Sequence, residues 1–194
     1  MASRQGRWQT ARSRSWPAKL IVRLLALFLL LPGSGVADGQ ASAEYQVKAA
    51  YLYNFGKFVE WPRAAFTGPS DVFKLCVLGD NPFDQELERV LAARKLQERP
   101  IRVIYPDSIA QSRKCHVLFL STSESARMKT ILAELSSDPV LTVADEPGFI
   151  DAGGMIGLIV VNESVRFEIN SQPAGRAGLK MSAKLLLLAK KQKR

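Results

Sequence analysis

The sequence predicts an α/β fold: a mostly parallel sheet with helices on both faces, an antiparallel C-terminal hairpin, and then a terminal helix. Three observations carry this. Short apolar runs of strand length recur at 72–78, 101–105, 115–120, 140–143 and 155–161. Stretches with helical spacing separate several of them, and Asn162-Glu163-Ser164 divides 155–161 from a further run at 165–169 as a hairpin connection does. A chain of 194 residues that is 47% hydrophobic is long enough for one domain with a real core.

In chain order, residues 1–37 hold six basic residues (Arg4, Arg7, Arg12, Arg14, Lys19 and Arg23) and no acidic one. They lead into the apolar block 24–31, which Pro32 and Gly33 end. The block falls well short of the roughly 20 apolar residues of a membrane span. A basic start, a short apolar block and a small-residue exit at Ala37 describe a cleaved secretory signal peptide, with Ala43 as the alternative exit. The expected organisation is therefore a signal peptide over 1–37 and a single α/β domain over 38–194, soluble and exported from the cytoplasm.

A helix is expected over 44–61, stopped by Pro62. Val47, Ala50, Tyr51, Leu52, Asn54, Phe55, Phe58, Val59 and Trp61 fill an arc wider than one buried face requires, with Ala49, Tyr53, Gly56, Lys57 and Glu60 opposite. Asn54 falls inside the apolar arc and is expected to be buried and hydrogen-bonded. The strand 72–78 follows, and Asn81-Pro82 opens a helix of about twelve residues, proline being favoured at the first position. After strands 101–105 and 115–120, Ser121 and Glu124 have capping-box spacing for a helix through Leu135. Strand 140–143, a Gly-bearing loop and the hairpin come next. A last helix is expected over 174–191, with Leu179, Ala183, Leu186 and Leu187 facing the core and Met181, Leu185 and Leu188 facing away.

Charge and motifs narrow the function. The net +9 is concentrated at the ends, four more basic residues being Lys190, Lys191, Lys193 and Arg194, so the body 38–189 carries 17 basic against 18 acidic residues. Without a basic face a nucleic-acid reader is disfavoured. No Gly-x-Ser-x-Gly elbow or phosphate-binding glycine motif occurs, and the single histidine, His116, has no cluster to complete a metal set. Asp145, Glu146 and Asp151 read as solvated loop charges, and Gly153-Gly154 as a structural turn. No catalytic residue, cofactor or metal is expected, and the chain is not read as an enzyme. Cys76 and Cys115, an even pair in an exported protein, favour a disulfide over two buried thiols. The surplus apolar surface on the first and last helices points to a dimer or partner interface, with Tyr53, Asn54, Met181, Leu185 and Leu188 as its candidate residues.

The run Tyr51-Leu52-Tyr53-Asn54-Phe55-Gly56-Lys57-Phe58-Val59-Glu60-Trp61-Pro62 resembles the YfiR-like family of periplasmic proteins. Further blocks agree in order: Cys76-Val77-Leu78-Gly79-Asp80-Asn81-Pro82-Phe83, Cys115-His116-Val117-Leu118-Phe119-Leu120-Ser121, Leu141-Thr142-Val143, and Gly153-Gly154-Met155-Ile156 with Val165-Arg166-Phe167-Glu168-Ile169-Asn170. The resemblance covers about 44–190. It implies a dimer-forming α/β sandwich that regulates rather than catalyses. Such a protein represses an inner-membrane diguanylate cyclase by binding its periplasmic sensor domain, lowers cyclic di-GMP and hence biofilm formation, and is released by an outer-membrane-associated sequestering protein. The alternative is a periplasmic small-ligand sensor acting on another membrane receptor, such as a hybrid histidine kinase. This sequence has one cysteine pair where the best-known member has two.

Overall fold

The structure, a computed structural model, describes residues 36–68 and 71–193, with side chains from Ser42 onward. Two compact units divide the chain, Met1–Ala37 and Asp38–Arg194. The expected signal peptide lies, but for its last two residues, outside the described residues.

Helix α1 spans Val36–Phe58. It stops three residues before Trp61, because the backbone turns extended and Val59–Glu60 (β1) pairs antiparallel with Lys180–Met181 (β9). The main sheet has eight strands in the order β10-β8-β7-β6-β5-β2-β4-β3. They are Phe73–Leu78 (β2), Lys95–Leu96 (β3), Arg99–Ile104 (β4), Val117–Leu120 (β5), Leu141–Ala144 (β6), Ile156–Val161 (β7), Ser164–Asn170 (β8) and Lys191–Lys193 (β10). Strands β4, β2, β5, β6 and β7 are parallel neighbours, while β7–β8 and β3–β4 pair antiparallel. The expected hairpin forms with Asn162 and Glu163 both at positive φ (49° and 59°), the geometry of a two-residue turn matched to strand twist.

Alternation sends one set of side chains to each face. Phe73, Leu75, Val77, Val117, Phe119, Leu141 and Val143 pack beneath α1 and α2 (Glu86–Leu91). On the opposite face Cys76, Leu78, Leu118 and Leu120 pack against Ile131 and Leu132 of α4 (Met128–Glu134). Helix α3 is the single turn Ile109–Ser112. Helices thus cover both faces, as the sequence predicts.

Several elements differ from expectation. The helix after Pro82 keeps only six residues, because Asp84 sits at φ 49° and breaks its first turn. The Ser121 side chain makes no cap hydrogen bond, and Thr122–Arg127 is a 3-10 helix preceding α4. The terminal helix does not exist as one element. It is replaced by α5 (Ser171–Arg176), β9, α6 (Ala183–Leu188) and β10. The break is at Gly178, whose φ of +75° takes the chain out of the helix beside the Pro62 ring.

Candidate functional site

Helix α1 is held by chemistry that the hydrophobic pattern does not record. Its buried side is Lys48, Ala49, Leu52, Phe55 and Gly56, turned by about one residue, roughly 100°, from the arc expected. Two contacts cause this. A Cβ on Gly56 would lie 2.5 Å from Leu96 Cδ1, so the leucine side chain packs directly against the bare α1 backbone there. Lys48 donates to Asp145 Oδ2 at 2.5 Å and pairs with Glu44, and the Tyr45 hydroxyl donates to the same Asp145 oxygen at 3.0 Å. The Lys48 and Asp145 side chains are 5% and 8% exposed, which corrects the reading of Asp145 as a solvated charge. Burial alone pulls the Lys48 ammonium down, but hydrogen bonds to Asp145 and Glu44 outweigh it and the net direction is up. This cluster pins α1 across the C-terminal end of β6. Glu146 accepts a bond from Ser125 Oγ, while Asp151 is exposed and paired with Lys191 and Lys193.

The usual ligand crevice of a doubly wound sheet lies where strand order reverses, here between the ends of β2 and β5. At that point the turn after β2 packs closely against the 3-10 helix that follows β5: a Cβ on Gly79 would lie 2.4 Å from Ser123 Oγ and 2.9 Å from Glu124 Cγ, and the Asp80 amide donates to Ser123 Oγ.

The expected disulfide is present, joining Cys76 in β2 to Cys115 ahead of β5 with Cα atoms 6.0 Å apart. His116 next to it is buried and satisfied, as expected. Its Nδ1 accepts the Lys74 amide at 2.9 Å, which assigns the proton to Nε2 and lets it donate to the Ala65 carbonyl at 3.1 Å. The ring stacks between Phe66 and Phe73, at centroid distances of 4.4 and 4.8 Å. Burial first, and the nearby Lys74 and Arg99 charges, push its pKa down to about 4 against the opposing Ala65 bond and Asp71 charge.

The expected interface residues are not brought to one surface. Tyr53 is half-buried, its hydroxyl donating to the Lys95 carbonyl at 3.4 Å and its ring beneath the Arg94 guanidinium. Asn54 is exposed, not buried, because the rotation of α1 carries it to the outer side. Met181 is half-buried in β9 opposite Val59. Leu185 is 2% exposed and belongs to the core, whereas Leu187, expected in the core, is 82% exposed, and Ala183 is also exposed. The reason is the break at Gly178: α6 starts afresh at Ser182, whose side chain caps the Leu185 amide, so the longer helix no longer sets its phase. Leu188, at 62% exposure, does face outward. The surplus surface is thus Leu187 and Leu188 on α6 and Val47, Asn54 and half-buried Phe58 on α1, with the Lys184 ammonium over the Phe58 ring joining the two helices. Gly153 has φ +106°, and a Cβ on Gly154 would meet the Phe149 ring at 2.2 Å, so both glycines have backbone reasons.

No described helix is long and apolar enough to cross a membrane. Among solved structures, a conserved domain protein from Vibrio cholerae O1 biovar El Tor matches with a TM-score of 0.51 at 10% identity, over 75% of this chain and 60% of that one. The ABC domain in complex with L-Trp from Streptococcus pneumonia matches with a TM-score of 0.49 at 10% identity, over 77% of this chain and 60% of that one. The chain therefore spans about three-fifths of each of these proteins, and the first likeness is one of fold. Residues 45–190 match the domain family described as YfiR/HmsC-like, from the Tyr45 that bonds Asp145 to the Lys190 that precedes β10, and the chain belongs to that family.

Proposed function

We propose that this chain is an exported periplasmic repressor that binds the periplasmic sensor domain of an inner-membrane diguanylate cyclase and so lowers cyclic di-GMP. The family match over 45–190 is the observation that carries this reading. The exposed leucines of α6 agree with action through a protein surface. A homodimer, and release by an outer-membrane-associated protein that sequesters the repressor, complete the proposal. Leu187 and Leu188 replace Leu185 as the interface residues of α6, alongside Asn54 and Phe58 of α1.

The test is titration of the purified protein against purified periplasmic sensor domains of the diguanylate cyclases encoded in the same genome. Saturable binding to one domain, weakened by Leu187→Glu and Leu188→Glu in a folded chain, supports the proposal. Binding to none of them removes it.

A further inference from the structure

A second feature involves no residue of α1 or α6. Between α4 and α5 the structure leaves a hollow of about 180 Å3. Buried Leu132, Leu135, Met155 and Pro173 supply the apolar part of its lining, and Ser136 and Thr142 add hydroxyls. An apolar cavity of about 150 Å3 is already enough to hold a benzene ring, so this hollow suits a ligand of that size. Lys129 of α4 and Arg176 of α5 also line it.

The charge around the hollow is of one sign. Lys129 and Arg176 are both exposed, and neither has a hydrogen bond or ion pair among the described residues. No acidic residue lines the cavity. The nearest acids along the chain are already engaged, Glu134 and Asp138 with Arg113 and Asp151 with Lys191 and Lys193.

From this arrangement we infer that the hollow binds a small organic carboxylate with a short apolar body. The body occupies the space against Leu132, Met155 and Pro173, and the carboxylate stays at the mouth between the ammonium of Lys129 and the guanidinium of Arg176. An inorganic anion would leave the apolar part of the lining unfilled, and a neutral molecule would leave both cations to water. Charge-assisted bonds to a carboxylate are among the stronger polar contacts a ligand makes, which sets the expected preference. The inference is independent of the proposed partner, since the hollow shares no residue with the α1–α6 surface.

The experiment is amide NMR of the purified protein with benzoate as probe, and benzamide and inorganic phosphate as its neutral and apolar-free counterparts. Benzoate is expected to give saturable shifts at Thr142, Ala152, Gly153 and Met155. Benzamide and phosphate should bind at least about 10-fold more weakly. Lys129→Gln and Arg176→Gln, both at exposed positions, should each weaken benzoate by roughly 5- to 10-fold at unchanged melting temperature. Ala133→Leu, which narrows the mouth from an exposed position, should abolish the shifts. Shifts absent from these four amides, equal binding of benzamide, or undiminished binding in the Lys129→Gln/Arg176→Gln double variant would overturn the inference.

Discussion

Acid should destabilise this protein through its one histidine. In the folded chain the His116 ring accepts the Lys74 amide at Nδ1, so a second proton would set one N–H donor against another, between two phenyl rings. The folded pKa is pushed down to about 4 from an ordinary 6.5. Because the folded value lies below the unfolded one, the unfolded chain takes up the proton first. Stability is full above pH 6.5 and is lost as pH falls towards 4. At about 1.4 kcal/mol per pH unit, that window removes roughly 3 kcal/mol, a large part of a total of about 5 to 15. The assay is urea unfolding between pH 7 and pH 4.5, on the wild type and on His116→Asn, whose amide still accepts the Lys74 N–H. The variant should be about 2 kcal/mol less stable at pH 7, from the lost Ala65 bond and ring stacking. Its stability should fall less steeply with acid, by about one proton. With a single histidine in the chain, proton NMR reads the native pKa without assignment ambiguity. A native titration near 6.5, or equal slopes in the two proteins, would refute the reasoning.

Three further outcomes follow from the packing. Lys48→Met strands the Asp145 carboxylate in a site 8% exposed and should cost about 3 to 5 kcal/mol by chemical denaturation. Adding Asp145→Leu should restore most of that, and a double variant as unstable as the single would contradict the pairing. Leu185→Glu should unfold the chain by burying a charge, whereas Leu188→Glu should move the melting temperature by no more than about 2 °C. Similar melts for the two would mean that α6 has been assigned the wrong phase. Cys76→Ser opens a covalent loop spanning 39 residues and should lower stability by roughly 4 kcal/mol, while alkylation of the native wild type should find no free thiol.

The sheet was legible because its signals are local. Alternating or continuous apolar runs place β2, β5, β6 and β7, and the Asn162-Glu163 turn places the hairpin, to within one or two residues. The cysteine pair was legible from number and compartment alone. What failed was phase along helices, where a distant contact decides. Lys48 is drawn inward by Asp145, 97 residues away, and Gly56 by the approach of Leu96, so α1 buries a side that its own hydrophobic periodicity does not mark. At the C-terminus the signal was present and was outweighed. Pro173, Gly175 and Gly178 are helix punctuation, and leucine spacing across them assigned Leu185 and Leu187 to each other's environments. Asp145 also carried a readable cue, its place directly after a buried strand at the C-terminal end of a parallel sheet, where polar side chains are seldom idle. The hollow between α4 and α5 had none, since its walls come from four separated segments.

The most direct test of the repressor proposal is cellular cyclic di-GMP in the source organism, measured in three strains: one lacking the chain, one complemented with the whole chain, and one complemented with residues 38–194 behind a start methionine. The expected result is a rise on deletion, reversal by the whole chain, and no reversal by the form without residues 1–37. Unchanged cyclic di-GMP on deletion, or reversal by the form without residues 1–37, would contradict a repressor that works from the periplasm.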